Sequence, residues 1–409
     1  MNTVLKKLSL AFVLSGSAAA ASFAGSPLIP LPAFGEDAGI SVLASATMAY
    51  NDNLYLDNSN EESDVIYTLS PGFEFTTGDK GRTRATFRFV ENFVIYNDND
   101  DDNRALENAD FTLAHGADGD KLRLTVAAGF HHNQSSSSRE RVDGKGTMTR
   151  SYNYYGNAIA SYKLGEKLSV RSGFKWTGTT YIGGHSRTNY NDRQQYAIPL
   201  YLYYAVTEKL NAGFTAEYRY VDLKSSKNNR SKGKAPGYQQ VWFLGLSADG
   251  HAWEKLSLSG RVGYTTSDYS RRTVYSNNDR ENSLGASITA NYKATEKLST
   301  SLTVNRDFEI GGAAEDILST GVSLGAVYRI TDFWAANASV GYTRDAYQDY
   351  DRDDDIYRFS VGASYAINDY TSAFASYSFS KNDSDSNTSQ NYDYGYTNNV
   401  VTIGISFRY

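Results

Sequence analysis

The residues of this chain that could carry hydrolytic chemistry are histidines and serines. The adjacent pair His131-His132 is followed closely by the run Ser135–Ser138. A serine nucleophile needs a histidine base within hydrogen-bond reach, so these residues suggest a Ser/His site. Adjacent residues of a strand point to opposite faces, which leaves one histidine at most for such a site. Because serine runs usually form flexible loops, we predict that the protein is not an enzyme.

Carboxylates are concentrated in three segments that could bind a hard cation. These segments are Asp57–Asp64, Asn97–Asp102 and Asp351–Asp355. Calcium takes about six to eight oxygen ligands, and none of the segments has the full spacing of a calcium loop with its glycine and final glutamate. We therefore predict solvated loop tips with no metal site and no cofactor. Divalent bridging to lipid phosphates is the alternative.

Composition excludes some classes of protein. The 409 residues carry a net charge of −6, which becomes −8 if Lys6 and Lys7 leave with a signal peptide. A nucleic-acid partner is not expected, because it would need a basic face. The mean hydropathy of −0.50 is typical of a soluble protein. Mean hydropathy does not identify membrane barrels, because half of the residues in each strand face water. The 33 tyrosines suit a membrane interface.

The amino terminus has the pattern of a secretory signal peptide. The basic start Met1–Lys7 precedes the apolar run Leu8–Gly16 and a segment of small residues. Cleavage is expected after Ala24, with Ala21 as the second choice. The apolar run is shorter than the roughly 20 residues of a membrane-spanning helix. We predict a signal peptide at 1–24, a periplasmic leader at 25–38 and a membrane domain at 39–409.

The carboxy-terminal segment has the alternation of a membrane strand. A strand would place its large apolar side chains on one face; they are Val401, Ile403, Ile405, Phe407 and Tyr409. A chain that ends on such a strand, with a terminal aromatic residue, resembles bacterial outer-membrane β-barrels. In that group, the barrel-assembly machinery recognises this ending.

A recurring turn signature gives the number of strands. Copies include Gly165–Leu168, Thr207–Leu210 and Thr295–Leu298. Two long alternating runs and a polar loop separate successive copies, which is the short-turn, long-loop arrangement of outer-membrane barrels. Eight turns would join nine hairpins. The fold class is therefore predicted to be all-β, a transmembrane antiparallel up-and-down β-barrel of about 18 strands, with about 16 as the alternative.

Three residues fit these strands poorly. Pro71 and Pro199 fall inside strands of a barrel that has no edge, and we interpret both as β-bulges. Glu91 falls on the lipid-facing parity of its strand, which we interpret as the sign of a register shift.

The lumen-facing parity is rich in bases. A barrel of about 16 to 18 strands is too wide for side chains to fill, and basic rings in a water-filled pore favour anions. The alternative is that these bases pair with acids and only stiffen the wall. The predicted pore-lining residues are Arg84, Arg88, Arg123, Arg171, Lys175, Glu217, Arg219, Arg261, Arg329 and Arg358. Further inward bases are Lys163, Lys293 and Arg408, and further inward acids are Glu74, Asp110 and Asp307. We expect the long charged loop Asn133–Met148 to fold inward and constrict the pore.

Two early segments resemble a known family. Tyr50–Leu56 ends one strand with a tyrosine, an aspartate and asparagines, and Ser63–Phe73 begins the return strand and contains the motif Tyr67–Gly72. Both are similar to the opening of the family called putative β-barrel porin 2. The resemblance implies an outer-membrane pore of unverified substrate. Some relatives are linked to exopolysaccharide export, and the family defines no catalytic residues.

Three functions are therefore considered for a protein exported to the outer membrane. The first is passive diffusion of small hydrophilic solutes, with a preference for anions. The second is an exit pore for exopolysaccharide, and the third is a non-conducting structural or adhesive barrel. The expected partners are outer-membrane lipid and lipopolysaccharide, the assembly machinery, the solute or polysaccharide, and further copies in a homotrimer.

Overall fold

The computed structural model describes residues 28–35, 37–78, 81–117, 119–136, 148–183, 190–224, 237–270, 279–348, 351–386 and 393–409. These residues are mostly in β-strands. No helix among them is long and apolar enough to cross a membrane.

Eighteen long strands follow a two-residue strand, β1 (Ile29–Pro30). They are β2 (Gly39–Asn51), β3 (Asp64–Thr77), β4 (Thr83–Tyr96), β5 (Arg104–His115), β6 (Leu122–Ser135), β7 (Thr149–Lys163), β8 (Leu168–Ile182), β9 (Arg193–Ala205), β10 (Leu210–Leu223), β11 (Tyr238–Trp253), β12 (Leu256–Ser270), β13 (Asp279–Lys293), β14 (Leu298–Ile310), β15 (Asp316–Arg329), β16 (Trp334–Tyr347), β17 (Arg352–Ala366), β18 (Thr371–Ser386) and β19 (Tyr396–Arg408). Short 3-10 helices lie at Pro32–Phe34 and Asp100–Asp102.

The long strands form one closed antiparallel barrel. Each pairs with its neighbours along the chain, and β19 closes the barrel against β2. Tyr409 extends this closure, because it exchanges backbone hydrogen bonds with Val42 at N···O distances of 2.8 and 3.0 Å. The predicted up-and-down barrel is confirmed with eighteen strands, and the sixteen-strand alternative is wrong.

The two faces of the wall differ in polarity. On the outer face, Phe214, Leu244 and Leu284 are 66%, 66% and 71% exposed. On the inner face, Thr265 and Ser267 are fully buried. Strand alternation therefore produces an apolar outer wall around a polar lumen, which is the arrangement that a barrel in lipid requires.

The recurring turn signature is a local hydrogen-bonding motif. The hydroxyl of Thr207 accepts hydrogen bonds from the backbone N–H groups of Lys209 and Leu210 at 3.2 and 3.0 Å. Thr295 makes the equivalent contacts at 3.2 and 2.9 Å. A threonine at this position satisfies backbone donors that the short turn would otherwise leave without a partner.

Both prolines interrupt hydrogen bonding without changing the register, so the predicted β-bulges are wrong. Opposite Pro71, the β3–β4 pairing stops after Leu69 and resumes in the same register at Gly72. The β8–β9 ladder has the same kind of gap at Pro199. Proline lacks the N–H group that donates to the ladder. Here the pairing is lost only at the proline and at the residue next to it.

Glu91 keeps its lipid-facing parity, and the register shift predicted there is also wrong. Strand pairing places Glu91 opposite Glu107. His132 Nδ1 lies 2.8 Å from Glu107 Oε2, and the ring centroids of His132 and Tyr152 are 4.8 Å apart. A polar patch formed by Glu91, Glu107 and His132 therefore interrupts the apolar outer wall.

The acidic run at 351–355 is not a solvated loop tip, whereas in Asp57–Asp64 residues 58–63 are exposed and only the last residue departs from the prediction. Asp353–Asp355 belong to β17, where Asp354 is fully buried beside Arg352. Asp64 is also buried, and its carboxylate accepts backbone hydrogen bonds from Asn97–Asn99 at 3.0 to 3.1 Å. These carboxylates hold the outer ends of strands together. In the part of the chain that the structure describes, no group of three or more His, Cys, Asp or Glu side chains could hold a metal ion.

Replacing Ile403 by lysine tests which face of β19 meets lipid. Ile403 is 51% exposed on the outer wall, so Ile403→Lys should cost about 2–4 kcal/mol of unfolding free energy. Thr402→Lys is the matched control, because its side chain would stay in the aqueous lumen and change that free energy little. Urea unfolding in lipid vesicles measures both variants. Equal costs would contradict the assignment of the faces.

Candidate functional site: the lumen

The ten residues predicted to line the pore all occupy lumen-facing positions of their strands. Each alternates with outer-wall residues; for example, Arg358 precedes Phe359, which is 43% exposed on the outside. The ten residues come from β4, β6, β8, β10, β12, β15 and β17. Their side chains are therefore spread around the inner wall, and their role in conduction stays a prediction.

One side of the lumen holds an ion-pair chain of five residues. Arg219 donates two hydrogen bonds to the carboxylate of Asp307, at 2.9 and 3.2 Å. Arg261 Nη2 lies 3.1 Å from Glu217 Oε1 and 3.9 Å from Asp307 Oδ2. Lys175 Nζ lies 3.7 Å from Glu217 Oε2. Three bases and two acids leave one positive charge in excess in this chain.

Two further inward bases are paired. Arg171 Nη2 lies 2.8 Å from Asp249 Oδ2, and Arg408 Nη2 lies 2.6 Å from Glu74 Oε1. Some of the inward bases therefore pair with acids, as the alternative interpretation of the sequence predicts. These two pairs add no net charge to the lumen.

The arc of the wall that runs from β15 through β19 and β2 to β6 carries lumen-facing arginines, and some of them form no ion pair. Arg84, Arg88, Arg123, Arg329 and Arg358 face the lumen along this arc. Of these, Arg88, Arg329 and Arg358 form no ion pair with any carboxylate in the described residues. Arg358 Nη1 instead donates a hydrogen bond to Thr343 Oγ1 at 3.2 Å. Arg88 nevertheless has the carboxylates of Glu74 and Asp110 opposite it on the neighbouring strands.

The two adjacent histidines face opposite ways, as strand alternation requires. His131 is on the lumen side, where its Nε2 lies 2.9 Å from Asp110 Oδ1. Tyr155 donates a hydrogen bond to the same oxygen at 2.8 Å. The Tyr155 ring covers Gly129, where a Cβ atom would lie 2.2 Å from the ring. Glycine at 129 therefore allows the cluster to lie flat against the wall.

The serine run does not form a site with these histidines in the described residues. Ser136 Oγ donates a hydrogen bond to the carbonyl of Leu54 at 2.9 Å. Ser137 and Ser138 lie outside the described residues.

The hairpin between β14 and β15 folds into the lumen; we call residues 307–316 the inner hairpin. Arg193 Nη1 donates hydrogen bonds to the carbonyls of Ile310 and Gly311, both at 3.2 Å. Phe308 is 1% exposed although its parity is that of the lipid-facing residues of β14. The inner hairpin therefore packs against the facing wall.

Polar and apolar contacts hold the tip of the inner hairpin. Asp316 accepts hydrogen bonds from Gln239 Nε2 at 2.8 Å and Ser267 Oγ at 3.2 Å. The Tyr269 hydroxyl donates to the carbonyl of Ala314. An apolar cluster joins the tip to the wall; its members are Val221, Leu223, Tyr269 and Ala314, with Ile310 packed against them. This hairpin narrows the lumen on the β9–β12 side.

The inward bend of β14 opens a seam in the wall. The β13–β14 ladder stops at Ala286↔Arg306, whereas β13 stays paired with β12 as far as Asp279. Within the described residues, Asp279–Gly285 therefore have no backbone pairing with β14. Arg306 lies at the foot of the seam, with its Nε 3.1 Å from Ser283 Oγ.

Sequence analysis did not predict the inner hairpin. It assigned the constriction to Asn133–Met148, of which residues 137–147 lie outside the described residues. The available signal was the run Gly311–Ala314, four small residues between two strands. Small side chains allow a turn to lie close to a facing wall.

An outer-loop tyrosine ties two loops together. Tyr55 donates a hydrogen bond from its hydroxyl to Asp102 Oδ2 at 2.9 Å. Burial, followed by this hydrogen bond, raises the pKa of the Tyr55 hydroxyl well above its ordinary value. The raised pKa keeps the phenol protonated, so that it can donate this hydrogen bond.

Comparison with known proteins supports the architecture. The model of the family described as putative beta-barrel porin 2 matches residues 307–409, at the opposite end of the chain from the Tyr50–Phe73 motifs. No curated protein sequence matches the chain.

Among solved structures, the chain is similar to OccK2 (OpdF) of Pseudomonas aeruginosa, with 10% identity and a TM-score of 0.47 over 92% of this chain and 99% of that chain. It is also similar to the FrpB iron transporter of Neisseria meningitidis, with 11% identity and a TM-score of 0.46 over 93% and 82%. The family match, together with the apolar outer wall, indicates an outer-membrane location for this porin-like barrel.

Proposed function

We propose that this outer-membrane barrel is a pore for the passive diffusion of small hydrophilic solutes, with a preference for anions. The observation that carries the proposal is the polar lumen, where Arg329 and Arg358 form no ion pair with a carboxylate in the part of the chain that the structure describes. Arg88 forms no ion pair within 4 Å either, although Glu74 and Asp110 lie opposite it on the neighbouring strands.

The two sides of the lumen would contribute differently to conduction. The ion-pair chain and the inner hairpin occupy part of the cross-section on the β8–β14 side. The arc from β15 to β6 would border the water-filled path, because an eighteen-stranded barrel is too wide for side chains to fill. Basic groups along a water-filled path raise the local concentration of anions. Anion flux should therefore exceed cation flux for solutes of equal size.

The route to the membrane follows from the two ends of the chain. We propose that residues 1–24 direct export and that the assembly machinery recognises the alternating segment Val401–Tyr409. Outer-membrane lipid and lipopolysaccharide would then contact the apolar wall, and a homotrimer is the expected assembly.

Liposome swelling with matched solutes tests the proposal. Vesicles carrying the refolded protein should swell fastest in gluconate, more slowly in glucose and slowest in glucosamine. Reversing two bases that have no carboxylate opposite them, Arg329→Glu with Arg358→Glu, should reverse this order, whereas Lys297→Glu at an exposed turn should leave it unchanged. Absence of swelling would contradict the pore and favour a structural barrel. Equal rates for the three solutes would contradict the preference for anions.

An exit pore for acidic exopolysaccharide is the second candidate. The observation that favours it is a pair of tyrosine rings on the lumen face, Tyr201 and Tyr203, stacked at 5.6 Å with an angle of 6° between their planes. The Arg171 guanidinium lies 5.2 Å from the Tyr203 centroid. Tyr203 is buried and Arg171 is paired with Asp249, so the half-buried ring of Tyr201 is the aromatic face that a sugar chain in the lumen could contact. Normal exopolysaccharide secretion after gene deletion would exclude this function.

A further inference from the structure

Two arginines behind the inner hairpin have buried N–H groups without a hydrogen-bond partner. These groups are Nε of Arg219 and Nη1 of Arg261, and the two side chains are 12% and 14% exposed. Buried donors normally have partners, and a guanidinium group matches the oxygens of a carboxylate or phosphate. The unused donors indicate a site that can accept more oxygen atoms than the hairpin now supplies.

Asp307 is the group of the inner hairpin that occupies this site. Its carboxylate contacts Arg219 at 2.9 Å and Arg261 at 3.9 Å. The Asp307 side chain is 26% exposed, and the nearby Lys175 side chain is 46% exposed. A solute in the lumen can therefore reach the edge of the site, where the ammonium group of Lys175 is accessible.

The sequence of the inner hairpin is compatible with a second position in the wall. If the β13–β14 register continued beyond Ala286↔Arg306, Asp307 would pair with Gly285 and Phe308 with Leu284. Phe308 would then share the lipid-facing side with Leu284, which is 71% exposed. Residues 307–310 lie in the lumen in this structure, but their alternation of polar and apolar side chains also suits a strand of the membrane wall.

We propose that Arg219 and Arg261 form an anion-binding site that Asp307 fills when the pore is narrowed. A carboxylate- or phosphate-bearing solute takes the place of Asp307, and the upper part of β14 then pairs with β13, which widens the lumen. This inference rests on the proposed pore and names the chemistry that opens it.

The two positions exchange one set of bonds for another. Leaving the lumen breaks the contacts that Arg219 makes with Asp307 and Phe308 and those that Arg193 makes with Ile310 and Gly311. It also breaks the contacts of Ala314 and Asp316 with the wall. In the lumen position Ala314 has a positive φ of 66°, which alanine seldom adopts. Returning to the wall forms backbone hydrogen bonds along the β13–β14 seam. A solute shifts such an equilibrium by the difference in its affinity for the two states. Only the released state offers the arginines to a solute.

Single-channel recording of the full refolded chain tests the release of the hairpin. In KCl alone, Asp307→Asn should raise the mean conductance by about twofold or more, because the neutral amide binds the arginines weakly and the lumen widens. Arg219→Gln removes the same contact from the wall side and should have the same effect. Asp249→Asn is the matched control: it breaks an equivalent Arg–Asp pair that does not touch the hairpin, and it should leave the conductance level unchanged.

A disulfide lock tests the role of the anion. The chain has no cysteine, so Val221→Cys with Ala314→Cys places a single pair within the apolar cluster. At constant KCl, inorganic phosphate or acetate should raise the open level of the wild type but not that of the oxidised pair, and reduction should restore the response. A response to phosphate alone would identify phosphate as the ligand, and a response to both would assign the site to oxyanions generally.

The outcomes separate this inference from the proposed function. If steady channels appear but phosphate, acetate and Asp307→Asn all leave their conductance unchanged, the anion-released hairpin is wrong and the pore stands. The inference is also wrong if phosphate or acetate raises the conductance of the oxidised Val221→Cys/Ala314→Cys variant as much as that of the wild type. Silence in every variant, including those with a released hairpin, would contradict the pore itself.

Discussion

Replacing Gly311–Glu315 by an Asn-Gly turn should raise the single-channel conductance severalfold. The replaced residues form the tip of the inner hairpin, and Ala313, Ala314 and Glu315 are only 9%, 3% and 6% exposed because they pack in the lumen. A two-residue Asn-Gly turn connects antiparallel strands without strain and lacks the side chains and carbonyls that anchor the tip. Recording in planar bilayers measures the change directly.

The matched experiment is deletion of residues 137–147, the main part of the loop that sequence analysis assigned to the constriction. If the inner hairpin is the narrowest part of the pore, this deletion should change the conductance much less than the replacement of the tip. If the deletion changes the conductance more than the replacement of the tip does, the Asn133–Met148 loop forms the constriction.

Arg352→Ala should destabilise the barrel by about 3–5 kcal/mol, because it leaves a buried carboxylate without its partner. Arg352 Nε donates a hydrogen bond to Asp354 Oδ1 at 2.9 Å, and the two side chains are 5% and 0% exposed. The guanidinium carbon also lies 3.6 Å from the centroid of the Tyr394 ring. Urea unfolding in lipid vesicles should show the loss as a lower midpoint.

Arg344→Ala is the control for this prediction, because it breaks a neighbouring Arg–Asp pair of similar length. Arg344 Nη2 lies 2.7 Å from Asp353 Oδ2, but the side chains are 52% and 39% exposed. Solvent screens such a pair, so its loss should cost less than about 1 kcal/mol. Similar costs for the two variants would show that burial of the Arg352–Asp354 pair is not what stabilises the outer end of β17.

Much of the architecture could be predicted because the responsible signals are local. Alternation in Val401–Tyr409 identifies a strand and its lipid-facing side without reference to any other residue. Thr207 and its equivalents mark short turns because their hydroxyls bond to backbone groups two and three residues away. Counting such turns therefore gives the number of strands, and the inward parity of the predicted lining residues follows from the same period of two.

The features that were not predicted depend on distant partners. Asp307–Ile310 alternate like any other membrane strand, and what holds them in the lumen is Arg219 and Arg193, on other strands. Asp354 belongs to an acidic run typical of a loop, yet Arg352 and the rings of Tyr347 and Tyr394 enclose the pair. The small residues Gly311–Ala314 permit the close approach of the inner hairpin, but nothing in the local sequence pattern identifies these distant partners.

The central claim is a water-filled pore whose unpaired bases favour anions. Its most direct test is the reversal potential of the refolded wild-type protein in a planar bilayer with a KCl gradient. We predict steady openings with the sign of chloride permeation. Steady openings with the sign of potassium permeation would contradict the role assigned to Arg329 and Arg358, and a correctly folded barrel that never conducts would contradict the pore.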